Sequence, residues 1–529
     1  MTQAPPSSAS PWAPLRRPVF RTLWTAQLAS NVGAWMQSVG AQWFLVEHSH
    51  SASLVALVQT ASLLPVLALS LPAGVLADSL DRRRLLVVTT ALSAVAATVL
   101  VGLDATGVLA PWSLLTATFA LGCLSALTSP AWQAIQPELV PREEIPAAAS
   151  LGSVTVNAAR AIGPAAAGLI VGFTGPWSVF ALNALSFIGV LVVLLRWDRP
   201  QRPAPLAHER FGEALLAGTR YVRSAPGVRR ILLRAGLFAV PACALWALLP
   251  TVATGTLGLG SGGYGVLLGV LGAGAVLGVF ALPALRRRLS SSWLLAGSAI
   301  TYAVGCAAPA LGSVWLLVPV FLVTGTAWIV TLTTLNAALQ LSLAGWVRAR
   351  GVAFYLLVFM GGQGVASFVW GLVADAIGSS DALLIAAGLL VLTGLSVTVL
   401  PLRAATGTLD RTVTALSSGA PELVFEPDPT DGPVTVEIEY TVRPGEAAAF
   451  VTAMKGVERS RRRTGAISWR LERGGENDHT YREQFAVRSW GEYTRAGQER
   501  WTGFDHETLD AALTHVEGTA RSCHYFPVP

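Results

Sequence analysis

About twelve stretches of mostly apolar residues crowd the chain up to Pro401, and a helix needs about 20 such residues to cross the roughly 30 Å of hydrocarbon in a bilayer. The stretches fall at 20–46, 52–77, 84–103, 112–132, 148–173, 176–195, 231–254, 262–284, 292–310, 313–339, 352–376 and 381–400. Only 13% of residues are charged and 53% are hydrophobic, against roughly 25% charged in an average soluble domain. A lipid bilayer is therefore the expected solvent for much of this surface. Charge is also uneven: of the 68 Asp, Glu, Lys and Arg residues, 27 lie in the last 97 positions. The chain thus has an apolar part and a tail of ordinary soluble composition.

Arginine clusters test the span assignment independently, because cytoplasmic loops carry excess Arg and Lys. Arg16, Arg17 and Arg21 precede span one, Arg82–Arg84 follow span two, and Arg142 follows span four. Nine arginines from Arg196 to Arg234 follow span six, Arg286–Arg288 span eight, Arg348 and Arg350 span ten, and Arg403 and Arg411 span twelve. The intervening loops HSHSAS, DATGVLAPWS, GFTGPWS and TLGLGSGGYG contain neither Arg nor Lys. This alternation predicts twelve spans in the cell membrane with both termini and the tail cytoplasmic. Basic residues placed this way serve topology, so no nucleic acid partner is expected despite the net charge of +6. The start, MTQAPPSSASPWAPLRRPVF, lacks the apolar core and cleavage site of a removable signal. Four cysteines without a CxxC pair indicate neither a disulfide framework nor a metal site, and no cofactor is expected.

The expected fold is an all-α polytopic membrane protein with twelve transmembrane helices in two six-helix halves, plus a C-terminal α+β ferredoxin-like domain. The boundaries read as 1–195 for the first half, 196–230 for an Arg-rich cytoplasmic connector, 231–403 for the second half, 404–432 for a linker and 433–529 for the soluble domain. ERFGEALLAGTRYVRS in the connector has the composition of a surface helix, and LTSPAWQAIQ in span four echoes LTTLNAALQ in span ten. A six-plus-six plan is how many transporters build a central site between two related halves.

GVLADSLDRRRLL, Gly74–Leu86, is the most specific local signal. It resembles the major facilitator superfamily loop motif G-x-L-A-D-x-x-G-R-R-x-x-L. The resemblance implies a gating role for Gly74, Asp78, Arg82, Arg83 and Arg84, with Asp78 at a helix terminus and the arginines against the opposing bundle. Asp81 stands where the motif has its second glycine. Span five, SLGSVTVNAARAIGPAAAGLIVG, resembles the Gly/Pro pattern of superfamily antiporters. There Gly163 and Gly168 permit close helix packing, and Pro164 withholds a backbone donor and can bend the helix. Together with PAWQAIQPELVPREEIPAAASLGS, these segments resemble the transmembrane secretion effector branch, which includes enterobactin exporters. The resemblance covers nearly the whole chain and implies proton-driven export of a small molecule such as a siderophore, antibiotic or drug.

Polar residues within the spans mark an expected substrate pathway. Gln27, Asn31, Ser38 and Gln42 share one face of the first helix, and Gln133, Gln136, Asn157, Asn336, Gln340 and Gln363 add to them from spans four, five, ten and eleven. Such groups either line a watery path or hold helices together. Arg160 lies about twelve residues inside span five, roughly 18 Å along a helix rising 1.5 Å per residue. An ionised group near mid-membrane costs at least about 2.5–3.5 kcal/mol unless paired or hydrated. Two roles stay open: capture of an anionic or oxygen-rich substrate, or pairing with helix carbonyls or the amides of Gln27, Asn31 and Gln136.

In the tail, Val434, Val436, Ile438, Tyr440 and Val442 alternate with polar residues as a half-buried strand requires. Phe450, Met454 and Val457 fit a helix face; AISWRLE, TYREQFAV and SCHYFPV fit strands; and helices fit near Ser489–Gln498 and His506–Val516. This βαββαβ order predicts the ferredoxin-like unit. It resembles the antibiotic biosynthesis monooxygenase type, a fold often completed by dimerisation, which implies self-association through the tail. His479, His506, His515 and His524, with Trp469 and Trp490, have no spacing that specifies a metal. A membrane-anchored monooxygenase and a non-transporting receptor are the alternatives to an exporter. The residues name neither substrate nor proton carrier.

Overall fold

A computed structural model describes residues 12–49, 51–197, 211–402, 409–414 and 423–527. Helices dominate. The first set is α1 (Pro18–His48), α2 (Ala52–Ser79), α3 (Arg82–Ala105), α4 (Pro111–Ile135), α5 (Ile145–Thr174) and α6 (Pro176–Arg196). After α7 (Phe211–Ser224), which occupies the expected surface helix, come α8 (Pro226–Gly255), α9 (Ser261–Arg288), α10 (Ser291–Ala307), α11 (Val314–Ser342) and α12 (Arg348–Leu356). A π-helical turn, Leu357–Gly361, carries α12 into α13 (Gly362–Ile377), and α14 (Ser379–Leu395) closes the series.

Local chemistry sets several starts. Proline occupies the first helical position of α1, α4 and α6, where its fixed φ suits the helix and its missing N–H removes no intrahelical bond. Ser51 and Asp81 cap α2 and α3 by accepting from Leu54 N and Arg84 N at 3.3 and 2.8 Å. Asp81, the residue that departs from the loop motif, is thus the N-cap of α3, so the turn closes without glycine.

Among the described residues, ten helical stretches are long and apolar enough to cross a membrane. The difference from the expected twelve lies in α14, a shorter apolar helix, and in α1, which carries Arg21, Gln27, Asn31, Gln37 and Gln42 along its 31 residues.

The chain forms two compact units. One comprises Met1–Ala204, Arg234–Thr334 and Leu356–Pro401 and holds most of the apolar helices. In it, two glycine-lined seams join the first helix set to the second. On α5 and α9, a Cβ on Gly168 would come within 2.4 Å of Gly265 Cα, and one on Gly272 within 2.6 Å of Ala161 Cα. On α2 and α13, a Cβ on Gly371 would lie 2.5 Å from Ser53 Cα. Thr60 Oγ1 donates to Gly364 O at 2.7 Å along the second seam. Arg234, nearly fully buried, fastens the last helix by donating to Thr393 O and Leu400 O at 3.0 Å and Ser396 Oγ at 2.9 Å. Its fork satisfies carbonyls that the end of α14 leaves open.

The second unit takes Pro205–Leu233, Leu335–Tyr355 and Leu402–Pro529. Its sheet contains β1 (Val434–Thr441), β2 (Ser468–Arg473), β3 (Thr480–Val487) and β4 (Arg521–Tyr525) in the order β2-β3-β1-β4, with every pairing antiparallel. Helix α15 (Ala447–Thr464) connects β1 to β2, while α16 (Trp490–Arg495) and α17 (Gly503–Leu513) lie between β3 and β4. The expected strands and helices match these to within a few residues. Val434, Val436 and Tyr440 are buried on β1, as the alternation required.

In the same unit, α7 packs against α15. Arg220 donates to Gly465 O at 3.1 Å and pairs with Glu492. Tyr221 donates to Ser342 O at 3.2 Å and meets the Trp346 ring edge-on at 5.6 Å, while the Arg500 guanidinium lies 5.0 Å from the same ring.

Candidate functional site

Arg160, on α5, places its guanidinium 5.7 Å from the centre of the Trp35 ring on α1. Cation and ring face each other as a favourable pair. Among the described residues Arg160 has no ion-pair partner. Trp35 continues a chain of rings into the second helix set: Trp246 lies 5.9 Å away, Trp328 a further 6.1 Å, and Tyr302 and Phe359 at 5.7 and 5.8 Å from Trp328. Phe238 touches both Tyr302 and Trp328, at 5.5 and 5.8 Å. These side chains come from α1, α8, α10, α11 and the π turn before α13, so the cluster gathers both helix sets around one guanidinium.

Its polar atoms are donors without answers. Trp246 Nε1, Trp328 Nε1 and the Tyr302 hydroxyl are buried and make no hydrogen bond of ordinary geometry. Leaving a buried donor unmatched costs about 1–3 kcal/mol. A molecule bearing rings and acceptor oxygens would match both the flat faces and the waiting donors.

The amides expected to line a pathway are distributed differently. Gln27 donates to Asn31 at 3.2 Å, Ser38 to Ala34 O at 3.2 Å and Gln133 to Ser129 at 3.4 Å, all within their own helices. Gln136 packs against Gly152 of α5. Gln42 is buried, donates to Trp246 O at 3.3 Å and accepts from Tyr264 at 2.7 Å, which makes it a tie between the helix sets. Gln363 is buried on α13. Asn336 and Gln340, in the second unit, bond each other at 3.0 Å. The Asn157 side chain lies outside the described residues, as do the side chain of Asp78 and the surroundings of Gly74.

A Cβ on Gly163 would strike Trp35 Cβ at 2.6 Å, so the glycine admits Trp35 to the site. Gly168 is the close contact with α9, and Pro164 sits inside α5, which stays one continuous helix. Arg82 donates to Ala134 O and Glu138 at 3.3 and 2.7 Å, and Arg83 to Leu194 O and Leu195 O at 3.1 and 2.7 Å. These bonds reach α4, the turn after it and the end of α6 within the first helix set, where open carbonyls attract the cations. Arg84 follows the Asp81 cap.

Sequence reasoning missed Asp375. Its carboxylate accepts from Ala52 N at 2.6 Å, Ser53 N at 3.2 Å and the Ser51 hydroxyl at 3.0 Å, binding the end of α13 to the start of α2. Asp375 and Ser51 are 324 residues apart, so their pairing leaves no local signal.

In the soluble domain, Trp469 Nε1 donates to buried Glu483 at 2.8 Å, with Tyr440 at 2.8 Å and Arg461 at 3.1 Å. Burial, then the Glu483 charge, pushes the Tyr440 hydroxyl well above its ordinary pKa. His524 meets the Tyr493 hydroxyl at 2.7 Å and His515 meets Glu446 at 2.8 Å.

Known proteins place this architecture. The staphyloferrin A transporter of Staphylococcus aureus is 34% identical over 165 residues, 31% of this chain and 42% of its own. The enterobactin exporter EntS of Shigella boydii is 29% identical over 241 residues, 45% and 56% of the two chains, and macrolide efflux protein A of Streptococcus pyogenes is 27% identical over 172, 32% and 41%. The chain therefore spans about half the length of these curated relatives. Among solved structures, the nucleoside transporter NupG matches with a TM-score of 0.60 at 13% identity, over 72% of this chain and 99% of that one. A bacterial homologue of the human lysosomal transporter Spinster matches with a TM-score of 0.55 at 15% identity, over 72% and 94%. These likenesses establish a shared helical fold. The sequence signature of the transmembrane secretion effectors matches residues 9–524, and the chain, a multi-pass membrane protein, belongs to that family.

Proposed function

We propose that this chain is a secondary transporter of the major facilitator superfamily that exports small organic molecules by alternating access, with the ring cluster around Arg160 as its cargo site. The observation that carries the reading is the Arg160 guanidinium over Trp35, without a carboxylate partner among the described residues and continuous with rings from both helix sets. A bound oxyanion would offset the cost of that cation, and ring faces would stack on flat cargo. The iron-binding oxygens of siderophores, the molecules carried by two of the relatives, are groups of that kind.

The finer reading has twelve spans with both termini inside: α1–α6 form one half, and α8 to α14, with α12 and α13 as one span, form the other. The Arg-rich turns on one side of the alternation support it. In that orientation Asp375 closes the outer face. Protons are the proposed coupling ion, and Asp375 is an acid placed where protonation would loosen the two halves. The tail reads as a ferredoxin-like unit, supported by its βαββαβ order, and as a surface for self-association. An oxygenase reading of this domain is weaker, since its buried Glu483 is occupied by Tyr440, Trp469 and Arg461.

The test is uptake of a labelled siderophore into everted membrane vesicles, with and without an imposed proton gradient. Gradient-dependent uptake that falls about tenfold in Trp328→Ala at equal abundance is expected, the equivalent of ~1.4 kcal/mol of lost binding. Uptake indifferent to both the gradient and the substitution refutes the reading.

A further inference from the structure

The second unit contains a cavity of about 220 Å³, bordered by Val228, Ser342, Arg411, Arg459, Arg463 and Phe504. It lies where the start of α8, the end of α11, the segment around Arg411 and helices α15 and α17 meet. Arg411, Arg459 and Arg463 are the charged residues of the lining, and their charges are unequally answered. Arg463 donates to Asp505 at 2.5 Å and to Ser460 at 2.8 Å. Asp505 in turn accepts from the Thr502 hydroxyl at 2.6 Å, so that ion pair is complete. Arg459 donates to Lys455 O, one turn back on its own helix, at 3.0 Å.

Arg411 is the unbalanced member. Its guanidinium lies 5.1 Å from the Phe504 ring, which Arg463 approaches at 5.5 Å, and its Nε is buried without a hydrogen-bond partner. Burial lowers the Arg411 pKa most; Tyr221 opposes it, the nearby Arg463 cation lowers it further, and Asp505 opposes it in turn. An entering anion would answer both the repulsion and the unmatched donor. The first turn of α8 adds polarity of the same sense. Its first backbone bond in this turn runs from Arg229 N to Ala225 O, so the Gly227 and Val228 amides precede it at the positively polarised end. The Phe504 ring and the Val228 side chain offer apolar surface beside these donors.

We infer that this cavity binds a small organic anion, a carboxylate on a compact apolar body, at a site separate from the cargo cluster. The carboxylate lies against Arg411 and Arg459, and the apolar body lies along Phe504 and Val228. Arg463 remains with Asp505.

The test uses the full chain in nanodiscs of zwitterionic lipid, titrated calorimetrically with benzoate and, separately, with inorganic phosphate. Benzoate binding is expected, weakened about tenfold or more by Arg411→Gln and by Arg459→Gln, since each removes one charge-assisted contact. Arg470→Gln on exposed β2 serves as the control and leaves binding unchanged. Thermal unfolding without benzoate should be the same for Arg411→Gln as for the parent, because Arg411 holds no ion pair among the described residues. Absence of benzoate heat overturns the inference, as does unchanged affinity in Arg411→Gln. Phosphate binding without benzoate binding overturns the organic-carboxylate class. Loss of benzoate binding in discs containing phosphatidylglycerol assigns the cavity to a lipid headgroup and overturns it too.

Discussion

Arg160 faces the Trp35 ring, where a planar guanidinium and a compact ammonium behave differently. Arg160→Lys preserves the charge and loses the fork, whereas Arg160→Gln loses both. Both variants are expected to insert normally and to bind cargo less well, with glutamine the worse by about tenfold or more, ~1.4 kcal/mol. Equilibrium binding on purified, correctly inserted protein checks this, and unchanged binding by Arg160→Gln removes Arg160 from the site. The place of Arg160 inside a long helix was legible from the apolar run of span five. Its surroundings were not, because single aromatics at 35, 246, 302 and 328 carry no periodic signal inside apolar runs. The spaced amides of α1 gave the opposite impression: Gln27 and Asn31 satisfy each other, and Gln42 ties the helix sets together.

At the scale of elements, the seams decide what can move. Gly168 and Gly265 bring α5 and α9 into backbone contact, so Gly168→Leu forces them apart, with overpacking of about 1–3 kcal/mol. Cysteine pairs placed across α5 and α9 should cross-link less efficiently in this variant, and unchanged cross-linking would show that the seam is dispensable. On the other seam, Asp375→Asn keeps the shape and one acceptor but loses the charge behind three hydrogen bonds. A loss of roughly 1–3 kcal/mol is expected, read as faster labelling of a cysteine at position 53 by a membrane-impermeant reagent. Equal labelling rates would mean that Asp375 does not hold the halves closed. The helices themselves were readable because hydrocarbon thickness sets their length, and the small residues of α5 pointed to one seam. The π turn between α12 and α13 has no counterpart in the apolar pattern, since Leu357–Gly361 would suit a regular helix equally.

For the molecule as a whole, charge marked the tail as different in composition from the apolar part, and the alternation in Val434–Thr441 pointed to a strand, which the structure contains as β1. What the sequence concealed was the reach of the tail. Residues 205–233 and 335–355 cluster with the soluble domain, so the connector is fastened rather than a passive link. Deleting 434–529 should still allow membrane insertion, because the first unit has its own buried seams. It should also expose α7 to added protease many times faster, because Arg220 and Tyr221 sit in contacts that the soluble domain completes. Equal cleavage rates in the truncated and full chains would contradict that dependence.

The contact of Arg220 with Glu492 also has a temporal side. A ribosome releases residue 220 long before residue 492, so throughout synthesis of the second helix set the middle of the chain waits for a partner that does not yet exist. Until the last strand has emerged, the connector must be held by something else or remain loose. The end of translation is therefore also the moment at which the centre of this protein is fastened, and a stalled or early-terminated chain would carry its weakness in the middle, far from the break.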